Sequence, residues 1–306
     1  MTYAFLFPGQ GSQRVGMGAD LYEKFDEAAR CFEGACEILQ RDIKSLCFEG
    51  PEESLKATEN TQPALFTVEA AICDILRARG ITPSWTAGHS LGEYAALYAA
   101  GVFSFEDGLR LVARRGRLMG NAGADTPGAM AAVIGLDPSK VDRILKEMTS
   151  GVVVCANFNS SVQTVISGEE GTVKEACDKL TSAGAKRAVL LPVSGAFHSP
   201  LMQKAADEFQ DALEKATFSH PRCPVVANVS ASLENDAGRL KQLLVRQLVS
   251  PVRWVESLGL LAREAPGTCI ETGPGAVLQG LARKTEKGLR VVPCGTAENI
   301  FSLSQT

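Results

Sequence analysis

Five consecutive residues, Gly88-His89-Ser90-Leu91-Gly92, carry the clearest chemical signal in the sequence. They form a GxSxG pattern, in which a strand enters a very sharp turn and a helix leaves it, so that the serine hydroxyl is thrust up and exposed. The two glycines let the backbones pack closely. The Leu91 amide then points from a helix N-terminus at the reacting centre, where it can stabilise an oxyanion. The pattern alone is weak, because an ordinary glycine turn with a capping serine also produces it. Its context strengthens it: Ser84–Ala87 is strand-like, and Leu91–Ala100 is helical and alanine-rich.

A serine hydroxyl needs a base within hydrogen-bond reach, usually a histidine. The sequence has three, His89, His198 and His220. His89 neighbours the serine in a turn where successive side chains diverge, and is expected to be bonded beneath the elbow. His220 lies in the proline-bounded run Ser219–Pro224 and reads as a surface or capping residue. His198 follows a strand-like run, in a loop from Val193 to Pro200 that opens onto a helix. Rigid scaffolds present catalytic groups from such loops, and elimination favours His198 as the base.

The elements that must position this pair read as an α/β protein. Tyr3–Phe7 is a short buried strand ending at Pro-Gly-Gln-Gly, and Thr61–Arg79 is an amphipathic helix stopped by Gly80. A strand around Trp85–Ala87, the tight turn and a helix to about Ala100 suggest a layered architecture with a parallel sheet. The middle runs strand Ala129–Ile134, helix Ser139–Met148, strands Val152–Ala156 and Gln163–Ser167, helix Thr172–Ala183 and strand Ala188–Pro192. That βαββαβ order is the ferredoxin-like unit. The expectation is a small domain at 127–194 inserted into a large α/β-hydrolase-like domain made of 1–126 and 195–306. After the insert come a helix at Leu201–Ala216, a strand at Val225–Asn228, a helix around Arg239–Leu248, and a strand Thr268–Glu271 leading into Gly-Pro-Gly and another helix.

Composition narrows the classes. With 306 residues, 45% apolar and 22% charged, the chain can bury a sizeable core without disulfides or metals. A formal net charge of -4 argues against a broad nucleic-acid footprint. The nine cysteines are scattered, with no CxxC pair and no zinc-finger spacing to a histidine, and read as reduced, mostly buried thiols. No stretch approaches the ~20 apolar residues that cross a bilayer, and no signal peptide is visible. The expectation is a cytoplasmic protein.

Further short motifs recur along almost the whole chain: Phe7–Gln13, Gln62-Pro63, Gly88–Glu93, Arg114-Arg115-Gly116, Gly128-Ala129-Met130, Asn157–Ser160, Gly195–Met202, Gln247-Leu248, Pro251–Trp254 and Glu271–Gly275. In these the chain resembles the malonyl-CoA:acyl-carrier-protein transacylases of fatty-acid synthesis and the related acyltransferase domains of polyketide synthases. The resemblance implies that Ser90 is acylated and that His198 acts as base and then acid. It implies that the main-chain carbonyl of Gln247 orients His198, and that the amides of Gln10 and Leu91 form the oxyanion hole. Arg115 would pair with the malonyl carboxylate, which suits a guanidinium fork. Asn157 belongs to a motif near the carrier's arm, and Phe197 would crowd an α-methyl branch and so favour malonyl over methylmalonyl.

The resemblance also implies malonyl-CoA as substrate with no resident cofactor or metal, an acyl carrier protein as partner, and a monomer. Without a synthase or carrier module, the chain is expected to be freestanding, which favours fatty-acid over polyketide synthesis. An acidic carrier would need a local basic patch, for which Lys186-Arg187 and Arg283-Lys284 with Lys287 and Arg290 are candidates. The competing readings are a serine thioesterase or hydrolase with a carboxylate behind His198, and a binding module that keeps the fold without the chemistry.

Overall fold

The computed structural model describes residues 2–125, 127–193, 195–265 and 267–303. The expected domain boundaries at 126 and 194 lie outside the described residues. Strand β1 (Tyr3–Phe7) is followed by helices α1 (Ala19–Lys24), α2 (Asp26–Leu39), α3 (Ile43–Phe48), α4 (Glu52–Lys56) and the long α5 (Thr58–Ala78). Strand β2 (Pro83–Gly88) leads through the serine turn into α6 (Gly92–Ala99), and α7 (Phe105–Asp125) follows. The middle contains β3 (Gly128–Ile134), α8 (Pro138–Lys146), β4 (Val153–Ser160), β5 (Gln163–Glu169), α9 (Glu170–Ser182) and β6 (Arg187–Leu190). The chain continues through α10 (Gln203–Lys215), β7 (Val225–Val226), β8 (Leu233–Glu234), α11 (Ala237–Gln247) and α12 (Trp254–Glu264). It ends with β9 (Thr268–Glu271), α13 (Val277–Thr285), β10 (Val291–Pro293) and α14 (Ala297–Leu303).

The larger sheet has the order β10-β9-β1-β2-β7-β8. Every neighbouring pair is parallel except the edge pair β7–β8. Ala4 to Phe7 of β1 are all buried, as expected for a central strand covered by helices on both faces. Gln10 follows β1, Ser90 follows β2 and Asn228 follows β7, so their loops all leave the carboxyl ends of parallel strands. That is where open α/β sheets hold their ligands.

The second sheet, β4-β5-β3-β6, is antiparallel throughout. Helices α8 and α9 cover one face, and Ala131, Val133, Val141, Leu145, Ile166 and Leu180 make a core of its own there. Met130, Ala132 and Val165 alternate with these residues and line the cleft beneath Ser90. On β4 a register shift between Cys155 and Asn157 changes which residues face the helices. Val153 and Cys155 pack into the small core, whereas Asn157 and Asn159 line the cleft. A bulge that re-aims side chains beside a site has that effect.

Helix α7, the element that carries Arg115, has no counterpart in the sequence reading. It contains Gly108, Gly116, Gly120 and Gly123, and each glycine lowers helix propensity. Gly116 instead marks a close approach of two helices, since a Cβ there would lie 2.8 Å from the Thr58 backbone oxygen of α5. Alanine improves helix propensity over glycine by about 1 kcal/mol, but overpacking against backbone costs about 1–3 kcal/mol. Gly116→Ala is therefore expected to lower the urea midpoint, with a net loss of up to about 2 kcal/mol. A raised midpoint would show that α7 does not press on α5 at this point.

Candidate active site

Ser90 sits in the left-handed region, with φ 52°. Tight packing forces the turn. A Cβ on Gly88 would lie 2.0 Å from the backbone of Gly92, and one on Gly92 would lie 2.1 Å from the Phe7 oxygen. Only hydrogen fits at either position. Asn228 clamps the turn from β7: its Oδ1 accepts from the Ser90 amide at 2.7 Å, and its Nδ2 donates to the Gly88 oxygen at 2.6 Å. A strained non-glycine backbone costs about 1–3 kcal/mol, and these two hydrogen bonds offset it. His198 is strained too, with φ 58°. Ser199 braces its loop by donating to the Ala196 oxygen at 2.7 Å.

The two strained residues meet. Ser90 Oγ lies 2.8 Å from His198 Nε2. On the other side of the ring, Nδ1 is 2.8 Å from the Gln247 carbonyl oxygen and 3.2 Å from that of Ser250. Carbonyl oxygens only accept, so Nδ1 carries the proton and Nε2 presents its lone pair to the serine. Burial, and then the positive charge of Arg115, push the imidazole down to about 3. The ring is therefore neutral at pH 7, with the Nε2 lone pair free to accept a proton.

Arg115 is buried, at 1% exposure, and reaches the same oxygen. Its Nη2 donates to Ser90 Oγ at 3.0 Å and to Gln247 Oε1 at 2.9 Å, while Nη1 donates to Gln62 Oε1 at 2.9 Å. The guanidinium lies over the Tyr94 ring, 5.4 Å from its centroid. Gln247 Nε2 in turn donates to the Ser90 main-chain carbonyl oxygen at 2.9 Å and to Glu93 Oε2 at 2.5 Å. Gln247 therefore serves the site twice, with its main chain on His198 and its side chain on Arg115.

These groups open onto a cleft of about 210 Å³ lined by Gln10, Leu91, Asn157 and Phe197 as well as Ser90, Arg115 and His198. Among the described residues, the amides of Gln10 and Leu91 donate to no protein acceptor, which leaves both available to a developing oxyanion. His89 turns away from the cleft's reacting end, with Nε2 2.8 Å from Asn159 Oδ1 and its ring edge-on to Trp254 at 5.5 Å. His220 is exposed. All nine cysteines are free and seven are buried. No group of His, Cys, Asp or Glu among the described residues is arranged to hold a metal ion.

The acyl transferase domain model matches residues 4–300. The chain belongs to the acyl transferase domain family. Among its relatives is the malonyl CoA-acyl carrier protein transacylase of Bacillus subtilis, 44% identical over 305 residues that cover 99% of this chain and 96% of that protein. Two solved structures match over their full length. One is a malonyl-transacylase in complex with its type II PKS acyl-carrier protein, with TM-score 0.95, 41% identity and coverage of 100% of this chain and 99% of that chain. The other is the acyl-carrier-protein-S-malonyltransferase of Bartonella henselae, with TM-score 0.94, 42% identity and the same coverage.

Within this acyl transferase fold, the sequence reading brought Ser90, His198, Gln247, Arg115, Gln10, Leu91, Phe197 and Asn157 to one place. It missed Asn228, Glu93 and the contact of Gln62 with Arg115. Asn228 was legible only as the last residue of a strand, although a polar residue at the carboxyl end of a central strand is the signal that finds it. The low His198 basicity has a measurable consequence. kcat/KM reports the free enzyme, and it is expected to show no acid limb from pH 7 down to about 5, where an imidazole of pKa ~6.5 would be mostly protonated. A fall centred near 6.5 in a donor-acylation pH profile would contradict this environment.

Proposed function

We propose that the protein transfers the malonyl group of malonyl-CoA to the phosphopantetheine thiol of an acyl carrier protein, through a malonyl ester on Ser90, in the supply of fatty-acid synthesis. The observation that carries this reading is the position of Arg115, whose Nη2 lies 3.0 Å from the nucleophilic oxygen. A cation this close to Ser90 suits an acyl group whose free carboxylate is one methylene from the ester carbonyl. An uncharged acyl group gains nothing from it.

In the first half-reaction His198 Nε2 takes the Ser90 proton as Oγ attacks the thioester carbonyl, and the Gln10 and Leu91 amides receive the oxyanion. The tetrahedral intermediate collapses, the carbon–sulfur bond breaks, and CoA leaves as the thiol with the proton from His198. The carrier thiol then enters, gives its proton to His198 and takes the malonyl group, and the proton returns to Ser90. Coenzyme A is thus part of a substrate, not a resident cofactor. Phe197, beside the acyl site, is read as disfavouring an α-methyl branch, a discrimination of about 1–3 kcal/mol.

The domain division at 127–194 is part of the same reading, supported by the separate antiparallel sheet with its own core. Of the two basic patches, the one at Arg283-Lys284 gains support from position. Lys284 lines a second cleft of about 350 Å³ that shares Gln10, His89, Asn159 and Gln163 with the first. Lys186 and Arg187 are also exposed. In this reading the protein works as a cytoplasmic monomer, and no helix among the described residues is long and apolar enough to cross a membrane. A second reading, a freestanding acyltransferase for a polyketide carrier, draws on the solved complex with a type II PKS carrier. A hydrolase reading is disfavoured, because His198 Nδ1 meets carbonyls where a hydrolase would place a carboxylate.

Ser90→Ala is expected to abolish covalent labelling by malonyl-CoA, read as the mass of the intact protein; retained labelling would place the ester elsewhere. Arg115→Ala is expected to lower malonyl transfer by about 10- to 100-fold while lowering acetyl transfer much less. Measured against fatty-acid and polyketide carriers, an equal loss for both donors would remove the carboxylate role, and the preferred carrier would decide between the two pathways.

A further inference from the structure

Among the described residues, Arg115 is balanced by one buried carboxylate, Glu93. Gln247 Oε1 accepts from Arg115 Nη2 at 2.9 Å and Gln247 Nε2 donates to Glu93 Oε2 at 2.5 Å. The amide therefore bridges opposite charges, and its orientation is fixed by them: the oxygen must face the donor-only guanidinium, and the nitrogen must face the carboxylate. Glu93 Oε1 accepts from the Asn228 amide at 3.3 Å. Arg115, Gln247 and Glu93 are each no more than 1% exposed, so water screens this chain of charges poorly.

An arriving malonyl carboxylate changes the balance. The empty site holds one positive guanidinium and one carboxyl, neutral as a pair when Glu93 is ionised. With the substrate's carboxylate against Arg115, two buried negative charges would share one positive charge, an arrangement that burial penalises strongly. We propose that Glu93 takes up a proton from solvent when malonyl occupies Ser90, so that loading of this diacid, and not of an uncharged acyl group, is proton-linked. This rests on the reading of Arg115 as the partner of the malonyl carboxylate.

The surroundings of Glu93 suit such a switch. Burial raises its carboxyl to about 7, against the lowering effects of the Gln247 and Asn228 hydrogen bonds and of Arg115. The groups that face it are Arg115 on α7, Tyr94 beside it on α6, Glu234 on β8, which raises it further, and His198 beyond the Gln247 carbonyl. A carboxyl poised there is mostly ionised in the free enzyme just above neutral pH and needs only a modest push to become neutral. The sign follows from linkage: the malonyl-loaded form binds more protons, so loading weakens as pH rises, by up to about tenfold per pH unit above the Glu93 pKa.

The test mixes the enzyme with malonyl-CoA, without carrier, in lightly buffered solution at pH 7.5 containing an indicator dye, and counts Ser90 acylation in parallel by mass. The expected result is uptake of more than about half a proton per acylated serine, lost in Glu93→Gln, whose acylation equilibrium no longer varies between pH 6.5 and 8. Acylation without proton uptake overturns this inference and leaves the malonyl reading standing. No acylation at all overturns that reading itself. Uptake that persists in Glu93→Gln assigns the proton to another group and also overturns the inference. If Glu93→Gln does not fold, infrared difference spectra of wild-type protein with ¹³C-labelled glutamate decide: a new protonated carboxyl band on malonylation is expected, and its absence contradicts the assignment.

Discussion

Ser90 Oγ is held between two groups with opposite demands. Arg115 can only donate to it, and the neutral His198 Nε2 can only accept from it, at 3.0 and 2.8 Å. The hydroxyl proton is therefore directed at Nε2, and one lone pair of the oxygen remains uncommitted. This arrangement draws on four separate parts of the chain: the turn after β2, the middle of α7, the loop before α10 and the end of α11. The glycine contacts, the Asn228 clamp and the Ser199 brace make sense as the means of holding that oxygen in place.

The group behind the histidine suits thioester chemistry. A carbonyl fixes the imidazole tautomer as well as a carboxylate would, but stabilises the imidazolium less. With Arg115 also opposing a second positive charge, His198 is a weak base. The leaving group of a thioester is a thiolate whose conjugate acid has a pKa of about 8.5, so it needs little help from a protonated base. A carboxylate behind His198 would moreover compete with a substrate carboxylate for Arg115. The carbonyl leaves that charge for the substrate.

Sequence patterns made some of this legible and hid the rest for physical reasons. The serine turn, the ferredoxin-like insert and the His198 loop were visible because each rests on local spacing: glycines two residues either side of Ser90, alternation in the strands, and a loop after a strand. Family resemblance added Arg115, Gln10 and Gln247, which no local pattern would have joined. Helix α7 was hidden because it carries four glycines, of which Gly108 and Gly116 serve close packing against α5. Strand β7 was read, as Val225–Asn228, but its neighbour β8 has two residues, too few for any periodicity to show, so the parallel sheet's antiparallel edge went unseen. Glu93 and the side chain of Gln247 were hidden because their partners lie across the fold, 154 positions apart, and a buried glutamate in an alanine-rich helix gives no local sign of its partner.

The central claim is spatial: one short diacid spans from Ser90 to Arg115, with its ester carbonyl oxygen on the amides of Gln10 and Leu91. The most direct measurement is a crystal structure of the malonyl-enzyme, trapped by malonyl-CoA in the absence of carrier. The account predicts an ester on Ser90 whose carboxylate accepts hydrogen bonds from the Arg115 guanidinium and whose carbonyl oxygen sits between the two amides. An ester whose carboxylate points to solvent, with Arg115 still donating to Gln62 and Gln247 alone, would contradict it.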